Sequence, residues 1–123
     1  MIRGEVTADY EAVIQLLVYG PTGQSRCIKA VLDTGFNAYL TLPTSIVAEL
    51  GLSYHGMAVA VLADGTRVAL RKYEATVTWD DRQRDILVLD GEGVPLIGMS
   101  MLRGHSLVAE VVVGGSLRIE PIR

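Results

Sequence analysis

Asp33 follows the apolar run of residues 28–32 and is itself followed by Thr34 and Gly35. A carboxylate that emerges from a buried strand onto a turn can activate water as a general base or protonate a carbonyl oxygen as a general acid, provided a second group takes the complementary role. The tripeptide alone is also ordinary turn chemistry, since Asp bonds its own backbone two residues on and Gly adopts angles other residues avoid. Other chemistry finds little footing. His55 and His105 stand alone, so no Cys/His cluster has metal-ligand spacing and no Ser-His-Asp set can be nominated. Gly20-Pro21-Thr22-Gly23 lacks the Lys-Ser/Thr ending of a phosphate loop, and the glycines between 91 and 98 lie outside any βαβ dinucleotide fingerprint. Neither a metal nor a cofactor is expected. Cys27, the one cysteine, has no partner for an internal disulfide and is expected to be a small buried hydrophobe.

The elements that must hold Asp33 read as short strands separated by turn residues. Residues 13–19 and 26–32 flank Gly20-Pro21-Thr22-Gly23 and predict a hairpin whose second strand ends at Asp33. Residues 57–62 and 67–79 flank Ala63-Asp64-Gly65-Thr66, in which Asp-Gly is a strong hairpin signal. A strand over 85–89 follows the Asp80-Asp81 turn, and residues 106–113 and 116–119 predict a further hairpin about Gly114-Gly115. Two helices are expected: residues 44–50, next to Pro43 and stopped by Gly51, and a shorter one over 98–103. His105, just past its end, is expected at the surface or as a cap. Many short strands with little helix imply an all-β fold, a closed or nearly closed barrel, in a single domain over residues 1–123.

Composition agrees with one folded domain. Of the 123 residues 50% are hydrophobic and 20% charged, far from the signature of disorder. The net charge is -3 and the basic residues are scattered, so no nucleic-acid partner is expected. The N-terminal residues lack the apolar run of a signal peptide and no stretch reaches the length of a membrane span. The expected setting is cytoplasmic, without a membrane partner.

Three features beyond Asp33 narrow the chemistry. Pro95-Leu96-Ile97-Gly98 sets two bulky apolar residues before a glycine and a short helix, the hairpin with its tip at Asp64-Gly65-Thr66 lies between that element and Asp33, and Leu50-Gly51 ends the clearer helix. In this order the sequence resembles the retropepsin-like aspartic proteases, the single-domain relatives of pepsin that include retroviral and small bacterial members. The matching residues are Val31-Leu32-Asp33-Thr34-Gly35, a flap over 61–68, and Leu96-Ile97-Gly98 with the helix after it; the resemblance spans roughly residues 13–117.

The resemblance implies a homodimeric aspartic endopeptidase with the acid-protease barrel. Each chain supplies one Asp33, and a two-fold axis would bring the two carboxylates together. Like charges so close cannot both ionise, so the pair shares a proton: one member takes a proton from water and the other hydrogen-bonds the scissile carbonyl. Thr34, Gly35, Leu96, Ile97 and Gly98 would support the loop. Phe36, Asn37, Ala63, Asp64, Gly65 and Thr66 would bind an extended polypeptide substrate, with Val61, Leu62 and Ile97 lining apolar pockets; the hairpin would close as a flap.

The chain departs from the family pattern beside the motif. Phe36 stands where a small Ser or Ala is usual and cannot donate to the carboxylate, which implies activity reaching toward neutral pH. Asn37 and Met99 replace the acid and arginine of retroviral members, so that ion pair is absent from both ends. Retroviral members join their termini in an intersubunit sheet, a role open to residues 1–6 and 117–122, with Pro121 limiting the pairing. The run 108–113 is expected as an interior strand. Phe36 also keeps a second reading open, a non-catalytic peptide-binding or dimerisation module on the same fold.

Overall fold

Alternation of buried and exposed side chains builds the sheet. In the computed structural model, which describes residues 1–62 and 64–123, strand β2 (Ala12–Tyr19) buries Val13, Ile14, Leu16 and Val18 and exposes Gln15. Strand β1 (Ile2–Val6) precedes it, and β3 (Ser25–Leu32) returns antiparallel with Leu16 opposite Ile28 and Val13 opposite Val31. The short strand β4 (Leu40–Leu42) leads into helix α1 (Thr44–Leu50), which buries Ile46, Val47 and Leu50 and ends at Gly51 in the left-handed region. Strands β5 (Ser53–Val61) and β6 (Arg67–Trp79) form a long hairpin. Beyond it, β7 (Arg82–Asp90) turns back at Asp80 and Asp81, whose φ values of 52° and 64° are those of a tight type I′ connection. Strand β8 (Leu96–Ile97), helix α2 (Met99–Leu102) and strands β9 (His105–Ala109) and β10 (Ser116–Pro121) complete the chain.

The strands form one ten-stranded sheet in the order β5-β6-β7-β4-β8-β3-β2-β1-β10-β9. A further pairing of β6 with β2 closes six of them, β2-β3-β8-β4-β7-β6, into a ring. Inside it lie Leu16, Val18, Leu40, Leu42, Val77, Val88 and Ile97, none more than 2% exposed. The expected all-β, near-barrel architecture is therefore present, with both helices at the expected places. Strand β6 outruns the ring: its residues 72–79 pair with β7, whereas 67–71 pair only with β5 and form a two-stranded arm.

Three expectations are corrected. Residues 108–113 are not an interior strand. β9 ends at Ala109, nothing pairs with its outer side among the described residues, and Val111, Val112 and Val113 are exposed because no layer faces them. The connection to β10 is accordingly a turn over 110–115, wider than a two-residue Gly114-Gly115 hairpin. Cys27 is exposed, because in β3 it falls on the face opposite Ile28 and Ala30. Finally, in the sheet order β1 lies between β2 and β10, pairing with β10 over Ile2–Glu5 but with β2 only at Glu5 and Val6, and β10 lies between β1 and β9.

Leu40 joins the ring opposite both Val88 and Ile97 and is fully buried. Leu40→Ala is expected to cost about 2–5 kcal/mol, the range for a buried leucine truncation. Denaturant unfolding measures this as a lower midpoint at unchanged slope.

Candidate active site

Asp33 leaves the ring where β3 ends. Its N–H donates to Ile97 O at 2.9 Å, continuing the parallel pairing of Val31 with Leu96 and Leu32 with Ile97. Its carbonyl accepts from Phe36 N–H at 3.1 Å, closing a turn over Thr34 and Gly35. Its carboxylate oxygen Oδ1 accepts from Gly35 N–H at 2.9 Å. The turn therefore aims one carboxylate oxygen along its own backbone and supplies the hydrogen-bond donor that Phe36 cannot. Asp33 is half-buried and Thr34 and Gly35 are exposed.

The second wall is Leu96-Ile97-Gly98. Gly98 is buried, its N–H donates to Tyr39 O at 3.0 Å, and the next amide, of Met99, donates to Phe36 O at 2.7 Å. A Cβ on Gly98 would stand 2.1 Å from Ala38 O and 2.7 Å from both Phe36 O and the Phe36 ring. The Phe36 ring thus lies against the backbone of Gly98, and only a residue without a side chain fits beneath it. Ile97 is fully buried in the ring core, behind the Asp33 turn, and does not line a surface pocket as expected. Asn37 is exposed, and its carbonyl accepts from the Ser100 hydroxyl, which fastens α2 to the loop.

The flap hairpin is the arm of β5 and β6. Leu62 N–H donates to Thr66 O at 2.8 Å and Gly65 N–H to Leu62 O at 2.9 Å, with Gly65 at φ 85°. Hydrogen bonds from Thr66, its hydroxyl first and its backbone N–H (2.8 Å) second, hold the Asp64 carboxyl below the usual aspartate range. Ala63, expected at this tip, lies outside the described residues. Val61 and Leu62 are exposed.

The structure thus brings Asp33, Gly35, Phe36, Ile97 and Gly98 together directly, while Asp64, Gly65 and Thr66 sit at the tip of a separate arm. Sequence reading missed Thr41, whose Oγ1 accepts from Leu96 N–H at 2.9 Å, and Arg84, which lies 5.4 Å from the centre of the Tyr39 ring and donates to Met101 O at 3.0 Å. A polar residue between two buried leucines was the available signal for Thr41; Arg84 had none. A cavity of about 410 Å3 is lined by Tyr19, Tyr39, Glu74 and Asp85 among others, and Asp33 is not part of it.

The fold has a counterpart among solved structures. EIAV protease, in complex with the inhibitor HBY-793, superposes with a TM-score of 0.60 at 18% identity, over 78% of this chain and 88% of that one. The chain has a retropepsin-like fold, the architecture of a retroviral aspartic protease. No protein-family model and no curated protein sequence matches it.

The packing of Phe36 on Gly98 generates a test. Gly98→Ala is expected to destabilise the fold by about 1–3 kcal/mol or more, because the added methyl collides with carbonyl oxygens that cannot swing aside. The companion change Phe36→Ala removes only one of the three clashes and restores little. Thermal unfolding of the single and double variants measures both effects.

Proposed function

We propose that the chain is an aspartic endopeptidase active as a homodimer, each copy contributing one Asp33. The observation that carries this reading is the carboxylate of half-buried residue Asp33, held on a turn braced by Ile97 and Gly98, in a fold whose solved counterpart is a protease. One carboxylate cannot hold water and protonate a carbonyl at once, so a second must come from another copy. Across a two-fold axis the two Asp33 side chains share one proton: the ionised member deprotonates the water between them, and the protonated member hydrogen-bonds the scissile carbonyl oxygen. Thr34, exposed on the turn, would bond across the axis to the partner's loop.

The polypeptide substrate would lie extended between the Asp33 turns and the flap arm, pairing its backbone with the groups around Gly65 and Thr66. Phe36 and the exposed Val61 and Leu62 would favour hydrophobic residues near the cut. Closure of the arm would exclude water from the reacting carbonyl.

Asp33→Asn separates this reading from a non-catalytic peptide-binding module. The wild type should cleave an unfolded protein or peptide library, and the variant should lose at least about a thousandfold in rate while unfolding at an unchanged temperature, on the scale seen when one member of a catalytic unit is removed. Cleavage that survives in Asp33→Asn, or a wild type inert from acid to neutral pH, would contradict the proposal.

A further inference from the structure

The ten-stranded sheet has two unpaired edges among the described residues, β5 and β9. They differ. Edge β5 is interrupted by a bulge between Tyr54 and Met57, with Gly56 at φ 94°, the kind of irregularity that blunts an edge against pairing. Edge β9 reads His-Ser-Leu-Val-Ala: it holds no Lys, Arg, Asp, Glu or Pro, and its register against β10 runs unbroken over five pairs. Nothing on β9 opposes the addition of another strand.

Exposed apolar surface gathers at the same place. On β9 Leu107 and Val108 are 38% and 46% exposed, and in the turn beyond it Val111, Val112 and Val113 are 66%, 60% and 59% exposed. The turn is held by backbone hydrogen bonds within itself and to β1: Val112 N–H donates to Glu110 O, Gly115 N–H to Val112 O, and Gly114 N–H to Val6 O. A Cβ on Gly115 would stand 1.9 Å from Glu110 O, so the chain closes this tightly only with glycine there. Three consecutive valines are thus presented on a rigid turn, where little ordering is lost when a partner covers them.

The position of this surface singles out its occupant. Glu5 lies opposite both Val13 and Ser116, and Val13 lies opposite Val31, two residues before Asp33. The valine turn therefore sits at the same end of the strands as Asp33, three strand steps away, or about 14 Å at the usual spacing. A second copy whose Asp33 approaches this one must cover that end of the sheet.

We infer that β9 and the Val111–Val113 turn form the surface on which the second copy docks, β9 against its symmetry mate. The inference rests on the homodimer reading above and adds which segment carries the contact: β1 and β10, which lie inside the sheet order between β2 and β9, pack behind it and do not form the joint.

The test uses Val108→Lys and Val112→Asp, exposed positions where the fold tolerates substitution, together with hydrogen exchange on the wild type. Analytical ultracentrifugation should show a dimeric wild type and, in each variant, a dissociation constant raised on the order of tenfold or more. Cleavage by the variants should vanish in dilute solution and return as protein concentration rises. In the unaltered chain, β9 amides that do not bond β10 should be protected when concentrated and exchange on dilution. A dimer whose dissociation constant and β9 exchange ignore these changes overturns the inference while leaving the protease reading intact, and so does protection of β9 by added peptide instead of by a second copy. A dimer that responds as described but cleaves nothing supports the interface and sinks the protease reading. A chain that stays monomeric at every concentration overturns both.

Discussion

Asp33 N–H donates to Ile97 O at 2.9 Å, and through that bond the candidate site is attached to the core. Ile97 is fully buried and lies opposite both Leu32 and Leu40, so the loop's anchor is a core residue and not a flexible one. From there the constraint passes outward. Gly98 must lack a side chain because the carbonyls of Phe36 and Ala38 approach it, and those carbonyls belong to the loop that Asp33 opens. The turn, the β8 strand and the start of α2 are therefore one unit, set by backbone hydrogen bonds and excluded volume. Side-chain chemistry enters only at its tip.

That unit is not itself a closed pocket, and a cavity opens elsewhere in the chain. The cavity at Tyr19, Tyr39, Glu74 and Asp85 lies toward the Tyr19 end of β2, whereas Asp33 neighbours the Ala12 end. On the proposed reading one chain contributes one wall and one flap, and the cleft exists only between two chains. An exposed valine turn and an uncharged strand edge at the Asp33 end fit a surface shaped to be covered.

Much of this was legible in the residues themselves. The apolar run 13–19 and the run 67–79, each bounded by turn residues, marked β2 and β6, Asp64-Gly65 marked the flap turn, and Leu96-Ile97-Gly98 marked the brace, because each pattern follows from local backbone chemistry. What sequence misplaced depended on the third dimension. Val108 to Val113 reads as core by composition, and only the sheet order reveals that no layer faces it. Cys27 was misjudged because one residue of register decides its face. Arg84 was invisible because its partners, the Tyr39 ring and the Met101 carbonyl, are distant in sequence.

The central claim is that two Asp33 carboxylates, one from each chain, make one site. Mixing wild-type chains with increasing proportions of Asp33→Asn chains, under conditions where subunits exchange, tests it most directly. If both carboxylates are required, proteolytic activity per total dimer falls as the square of the wild-type fraction, because only dimers of two wild-type chains are competent. A fall in direct proportion to the wild-type fraction would mean that each chain works alone, and would contradict the shared site.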